Sequence, residues 1–400
     1  SNLFKLSPFI SPTQSQALAI EQILEVIASS VTEQTGGPIV VHGDPGTGKT
    51  VIAVFLGKLL VDSNATLDTA FDDESFAESI VDIDREALQG LKIGFVVPQQ
   101  SLRTTLKGVF AATPALANVP VLTPCEVCQE EGTFDVLFVD EAHRLQQFSG
   151  SLQMRSKPFR DINRHLFPDD ESGQEHTQLD WIIAKSKTPV LLLDQKQTIR
   201  PMSDLPADTV KALVANAKAE NRFIGLWTQM RTKAGEDYID YVADAIGGTP
   251  TERVEFTEYD LRFYDDIRRM RDDIFERDHE VGLSRMLAGF AWPWVSKKNK
   301  QQPDIEIDGL QMFWNRTDKD WINSPTALEE VGCIHTSQGY DLNYAGVIIG
   351  PELSWDEDKQ QPVFVRANYH DQNSKSNNKA LGQTFTDEDL LEYVINVYRV

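Results

Sequence analysis

The sequence predicts an α/β protein in which mainly parallel sheets are covered by helices, arranged as two tandem domains. Three observations carry that expectation. Short apolar runs alternate with helical patterns through the first half, the runs are apolar at successive positions, and a glycine-rich stretch sits between a strand and a helix. In order, the segments are PIVVHG, VIAVFLGKLL, KIGFVVP, SLRTTLKGVF, FDVLFVDEA, LDWIIAK and PVLLLDQ. Continuous runs such as Val136, Leu137, Phe138 and Val139 suit strands buried on both faces of a parallel sheet.

The stretch from Ser149 to Gln178 is polar and reads as a loop, and a second polar region around Ser203 to Ala207 marks a domain boundary near 205. Residues 1–205 are then a first domain and 206–400 a second. In the second half FIGLW, RVEFTEY, SRMLAGFAW, GLQMFW and AGVIIG read as strands and GEDYIDYVADAIGG as an amphipathic helix. Residues 261–280 mix both charge signs at helical spacing, the pattern of a solvated helix face. No repeat of solenoid period is present.

Composition narrows the class. The 400 residues are 41% hydrophobic and 25% charged, enough apolar material for a substantial core. No apolar run reaches the roughly 20 residues of a bilayer span, and the amino terminus shows no signal-peptide pattern. A cytoplasmic location without membrane contact is expected. Three cysteines in a chain of this length cannot form a disulfide framework, which fits a reducing compartment. The 38 Lys and Arg against 61 Asp and Glu give a net charge of −23, which opposes non-specific coating of nucleic acid. Residues 61–90 hold nine carboxylates and one arginine and read as an exposed acidic insertion, with a docking arm for protein partners as the alternative.

The chemistry is concentrated in two segments. Gly43, Asp44, Pro45, Gly46, Thr47, Gly48, Lys49 and Thr50 form G-x-x-x-x-G-K-T directly after one strand and before a helix. Glycines in that place let backbone N–H groups curl around phosphates and the helix start adds its dipole. Lys49 then reaches the β- and γ-phosphates of ATP, while the Thr50 hydroxyl holds Mg2+. In LFVDEAH, a buried strand delivers Asp140 and Glu141 at its carboxyl end, the end where α/β sheets bind ligands. Asp140 is placed to hold the metal, and Glu141 to orient or deprotonate water, which favours a hydrolase over a kinase. A third strand ends in DQKQTIRP, where Gln197 could sense a γ-phosphate or its water.

This order of glycine loop, DEAH and Asp-x-x-Gln resembles superfamily 1 helicases, whose fold is two tandem RecA-like P-loop NTPase domains. The wording of DQKQTIRP, SRMLAGFAWPW, HTSQGYDLNYAGVIIGPEL and YVINVYRV is most similar to a bacterial helicase-like family of undefined substrate related to the Schlafen helicase lobe. The resemblance implies that Gln14 in ISPTQSQALAI hydrogen-bonds adenine, that the segment 94–106 leads to a turn touching nucleic acid, and that Arg231 in WTQMRT reaches the γ-phosphate. In CIHTSQGYDLNYAGVIIG it implies Gly339 near the nucleotide, Asp341 on the ribose, and His335 and Thr336 on a DNA or RNA strand. A sixth motif carrying an arginine finger is expected beyond YVINVYRV, so the second domain reads as truncated at Val400, with slow hydrolysis as the consequence.

Two function classes follow. One is a Mg-ATP-hydrolysing helicase-like motor that closes two domains on ATP and pulls a DNA or RNA strand. The alternative is a nucleotide-dependent switch or assembly ATPase that does not translocate, which the net charge favours. Cys125-x-x-Cys128 has metal-ligand spacing but no second pair, so structural thiols are the expected reading. Trp292, Trp294 and Trp314 beside Lys297, Lys298 and Lys300 could stack bases, although aromatics at strand spacing more often fill a core.

Overall fold

A computed structural model describes residues 12–44, 46–61, 84, 86–149, 153–194, 203–226, 235–249, 252–256, 259–316, 321–334, 342–371 and 375–399. The chain divides into two compact units. The first comprises Ser1–Thr198, Ser203–Met230 and Asn378–Leu381; the second comprises Ile199–Met202, Arg231–Asn377 and Gly382–Val400.

The first unit runs α1 (Gln14–Thr32), β1 (Ile39–Gly43), α2 (Lys49–Val61), β2 (Ile93–Val96), α3 (Gln100–Ala112), β3 (Val121–Leu122), α4 (Pro124–Val127) and β4 (Phe134–Val139). It continues through α5 (Gln153–Leu166), α6 (Gln178–Lys185), β5 (Ser186–Leu193), α7 (Ala207–Ala219) and β6 (Phe223–Leu226). The six strands form one sheet in the order β3-β2-β4-β5-β1-β6, and every pairing is parallel. Alternate residues of each strand enter different cores. Val136 and Phe138 join Ile20, Ile23, Ile52, Leu56 and Leu106 from α1, α2 and α3 on one face. Leu137 and Val139 join Leu179, Ile182, Val210 and Val214 from α6 and α7 on the other. Burial on both faces is the reason these strands read as unbroken apolar runs.

Two readings of the sequence differ from this arrangement. Phe223–Leu226, grouped with the second half, pairs with β1 from Val40↔Phe223 to Gly43↔Leu226, so the first unit extends through Met230. The polar stretch after Ser149 contains α5, a helix whose apolar residues are few but placed on one side. Phe159 packs against Trp181 with ring centroids 4.5 Å apart and against Phe148 at 5.8 Å, while Ile162 and Leu166 line the same cluster. Asn163, fully buried, ties the helix down: its amide donates to Gly173 O at 3.1 Å and His176 O at 2.9 Å, and its Oδ1 accepts from Trp181 Nε1. The core of the acidic insertion, residues 62–83, lies outside the described residues.

The second unit contains α8 (Gly235–Gly247), α9 (Ile267–Val281), β7 (Ser284–Ala288), β8 (Ile305–Ile307), β9 (Leu310–Met312), β10 (Val331–Cys333), β11 (Tyr344–Ile348), β12 (Leu353–Asp356), β13 (Gln361–Phe364) and α10 (Asp387–Arg399). Its sheet is three parallel strands in the order β10-β7-β11, with β8–β9 and β12–β13 as antiparallel pairs. RVEFTEY contributes only a Phe256–Tyr259 bridge among the described residues, and GLQMFW a hairpin strand. The charged helix α9 buries Ile267, Met270 and Ile274 and leaves its charges outside, as its pattern implies. On the opposite face Trp321 packs with Leu287, Val394 and Val397. Gly332 is required there, because a Cβ would lie 2.4 Å from the Trp321 ring. Trp314 is buried and donates from Nε1 to Ala288 O at 3.1 Å; Trp292 and Trp294 pack against the same core.

Asn163→Ala should lower the unfolding free energy by at least about 2 kcal/mol, since the buried Trp181 Nε1 and Gly173 O and the half-buried His176 O lose a partner at once. Denaturant unfolding monitored by tryptophan fluorescence checks this, and a loss below about 0.5 kcal/mol, the range of surface substitutions, would contradict it.

Candidate functional site

Parallel strands all end at the same edge of the sheet, so the carboxyl ends of β1, β4 and β5 lie side by side. After β1 the chain turns sharply. A Cβ at Gly43 would fall 2.5 Å from Thr47 Oγ1 and 3.0 Å from Leu226 Cβ, and Gly46 and Gly48 adopt φ of 87° and 85°, the left-handed region that favours glycine. The buried Thr47 closes the turn by donating from Oγ1 to Asp44 O at 2.9 Å, and Pro45 lies outside the described residues. Helix α2 then begins at Lys49, whose Nζ donates to Gly43 O at 2.5 Å and Asp44 O at 3.0 Å.

The loop meets the end of β4 through Thr50, whose Oγ1 donates to Asp140 Oδ2 at 2.7 Å. Asp140 is 2% exposed, and its other oxygen accepts from Glu141 N at 2.9 Å. Burial, and then the Glu141 charge, push its carboxyl up to about 6 against the pull of Thr50 and Lys49. A buried carboxylate next to a hydroxyl is a hard-oxygen pair short of positive charge, so these residues fit a divalent cation of the magnesium class. Glu141 shows the opposite balance. Burial raises its carboxyl, but His143, Arg144 and Lys49 together hold it well below the usual carboxylate range. Its Oε2 accepts from Arg144 Nε at 2.9 Å and lies 3.2 Å from His143 Nε2.

The sequence expectations thus meet the structure unevenly. Gly43, Asp44, Gly46, Thr47, Gly48, Lys49, Thr50, Asp140 and Glu141 come together at one sheet edge. Gln14 opens α1, but its side chain lies outside the described part, as do Gln197, Arg231, His335, Thr336, Gly339 and Asp341. Three contributors have no role in the sequence reading, although His143 ends LFVDEAH and Asp194 opens DQKQTIRP. Gln16 forms a capping box with Thr13 and donates from Nε2 to Thr47 O at 3.3 Å; the Thr-x-x-Gln spacing was its available signal. Asp194, at the end of β5, lies 3.9 Å from Lys49 Nζ. His143 is fully buried and accepts at Nδ1 from Asp194 N at 3.4 Å.

Other candidates resolve into packing. Cys125 and Cys128 border the Phe148–Phe159–Trp181 cluster, and Cys128 donates to Pro124 O at 3.3 Å. Burial, then Cys125, push its thiol up to about 12, unlike a metal-binding thiolate. Arg103 ties the turn after β2 by donating to Val97 O at 2.7 Å and Pro98 O at 3.2 Å. Lys297 stands over the Trp294 ring at 4.6 Å. Among the described residues no helix is long and apolar enough to cross a membrane.

Residues 38–400 match the Schlafen group 3, DNA/RNA helicase domain. The chain belongs to that family. The first unit of this chain is a six-stranded parallel sheet flanked by helices. A curated relative, Uncharacterized protein YPL245W of Saccharomyces cerevisiae, is 23% identical over 370 residues, covering 84% of this chain and 74% of the relative. A solved structure, Bacteroides Pif1 bound to ssDNA, aligns at 12% identity over 63% of this chain and 56% of that one, with a TM-score of 0.25.

Because the charged form of Asp140 is the one burial penalises, Asp140→Asn should stabilise the protein without divalent metal by on the order of 2 kcal/mol at pH 7. A raised folded pKa makes the aspartate cost stability as pH rises from the unfolded value toward 6, so the gain should shrink to near zero below about pH 4. Unfolding in EDTA across that range checks it; a substitution that destabilises at pH 7 would contradict the assigned burial cost.

Proposed function

We propose that the chain is a Mg-ATP-binding and hydrolysing motor domain that acts on a DNA or RNA strand. One observation carries the reading: the turn after β1 and the Asp140–Glu141 pair after β4 converge, joined by Thr50 and Asp140 at 2.7 Å, where backbone N–H groups, a lysine, a metal-binding pair and a base are all needed. In this reading the Gly43–Gly48 backbone cradles the phosphates and Lys49 exchanges its two carbonyl partners for phosphate oxygens. Thr50 and Asp140 hold Mg2+, which when bound neutralises charge on the β- and γ-phosphates. Water attacks the γ-phosphorus, Glu141 accepts its proton, and the bond to the bridging oxygen breaks with its electron pair leaving on ADP. Gln14, Gly339 and Asp341 are proposed as further nucleotide contacts, Gln197 and Arg231 as γ-phosphate sensors, and His335 and Thr336 as strand contacts.

The family supports the strand as partner, since its domain is described as a DNA/RNA helicase domain. The net charge of −23 favours the second reading, a nucleotide-dependent assembly ATPase that needs no strand. Stimulation of hydrolysis by a single-stranded oligonucleotide separates the two.

Lys49→Ala should weaken nucleotide binding by about tenfold to a hundredfold, the worth of a charge-assisted hydrogen bond. Glu141→Gln should retain nucleotide affinity and lower kcat by about a hundredfold or more. Titration with a fluorescent ATP analogue and steady-state phosphate release measure both; unchanged affinity in the first or normal turnover in the second would overturn the assignment.

A further inference from the structure

Glu141 is the residue from which the proposed hydrolysis asks most, and both its backbone and its side chain are held. Its φ of 51° and ψ of 45° put a side-chain-bearing residue in the left-handed region, at a cost on the order of 1 kcal/mol that persists only where surrounding contacts enforce it. Those contacts come from the next three residues. Residues 142–144 wind one 3-10 turn, with Arg144 N donating to Glu141 O at 2.8 Å and Leu145 N to Ala142 O at 3.1 Å. The turn folds the Arg144 side chain back so that Nε donates to Glu141 Oε2 at 2.9 Å. His143 Nε2 approaches the same oxygen at 3.2 Å, its ring fixed from behind by the Asp194 backbone.

Two cationic or polar nitrogens thus converge on one carboxylate oxygen. An oxygen that already accepts from a guanidinium N–H, with an imidazole nitrogen 3.2 Å away, is badly placed to take a proton from water, and the same pair fixes where the second oxygen of the carboxylate points. The arrangement is also unfinished at its other end. Among the described residues Arg144 Nη2 is buried with no hydrogen-bond partner, an N–H that would gain from any acceptor a small rotation could reach. Strain at Glu141 and an unused donor on Arg144 both favour exchange of the pair.

We propose that Arg144, assisted by His143, is a positioning residue that withholds Glu141 from the attacking water, so that turnover requires the Arg144–Glu141 pair to open. This deepens the ATPase reading above and rests on it. The same chain of contacts supplies a route for opening: Asp194, which holds the His143 ring through its backbone, also stands 3.9 Å from Lys49 Nζ. Lys49, Asp194, His143 and Glu141 thus form a contiguous run of contacts from the loop lysine to the proposed base.

The test compares wild type, Arg144→Gln and Arg144→Lys in steady-state ATP hydrolysis, with and without a single-stranded oligonucleotide, alongside binding of a fluorescent ATP analogue. Arg144→Gln, which lacks the charge, should raise strand-independent kcat by about fivefold or more while KM and nucleotide affinity stay within about twofold. Arg144→Lys, which keeps the charge, should restore the low rate, and adding Glu141→Gln to Arg144→Gln should abolish the gain. Amide hydrogen exchange at residues 141–145 should also quicken in Arg144→Gln while β4 stays protected, a readout that needs no turnover. A fall in kcat at unchanged KM in Arg144→Gln would show instead that the arginine orients Glu141 for reaction, and unchanged rate and exchange would show that the pair controls nothing. Failure of the wild type to bind nucleotide would refute the ATPase reading, and the exchange measurement would still decide whether Arg144 holds the Glu141 turn.

Discussion

One hydrogen bond, from Thr50 Oγ1 to Asp140 Oδ2 at 2.7 Å, joins the turn after β1 to the end of β4. Strand β5 lies between β1 and β4, so the two motifs cannot touch through backbone pairing; they meet only because each chain turns over the same edge. That edge exists because all six strands run parallel, and parallel pairing in turn demands helices on both faces. The two cores formed by alternate residues of β4 are therefore the support on which the site stands.

Buried charge and backbone strain are concentrated at this edge of the sheet. Asp140 is buried where its charge is costly, Glu141 sits in a backbone conformation that side chains rarely adopt, and Lys49 rests on the carbonyls of its own loop. Each is expensive alone, and each is stabilised by a neighbour: Thr50 for Asp140, Arg144 and His143 for Glu141, Gly43 and Asp44 for Lys49. Concentrated strain and buried charge of this kind mark functional sites more often than structural ones.

Much of the first unit was legible in sequence because its strands are buried on both sides and carry their signal locally. The glycine loop was equally plain, since Gly43, Gly46 and Gly48 each answer to a close approach or a positive φ. What escaped depended on tertiary partners. Helix α5 looks polar, and only Phe148 and Trp181, one before it in sequence and one after, reveal its buried side. Likewise the sequence places β6 with the second half, because an apolar tetrapeptide does not say which strand it will pair with, whereas it pairs with β1. Gln16, Asp194 and Arg144 are ordinary residues until the fold brings each to the loop or to Glu141.

The central claim is that Thr50 and Asp140 form the metal-binding half of a nucleotide site, and the most direct measurement is calorimetric titration of ATP into wild type and Thr50→Val, each with Mg2+ and with EDTA. The two proteins should bind ATP alike in EDTA, where only the backbone cradle and Lys49 act, and only the wild type should gain affinity from Mg2+. An equal gain from Mg2+ in both would place the metal elsewhere and contradict the account.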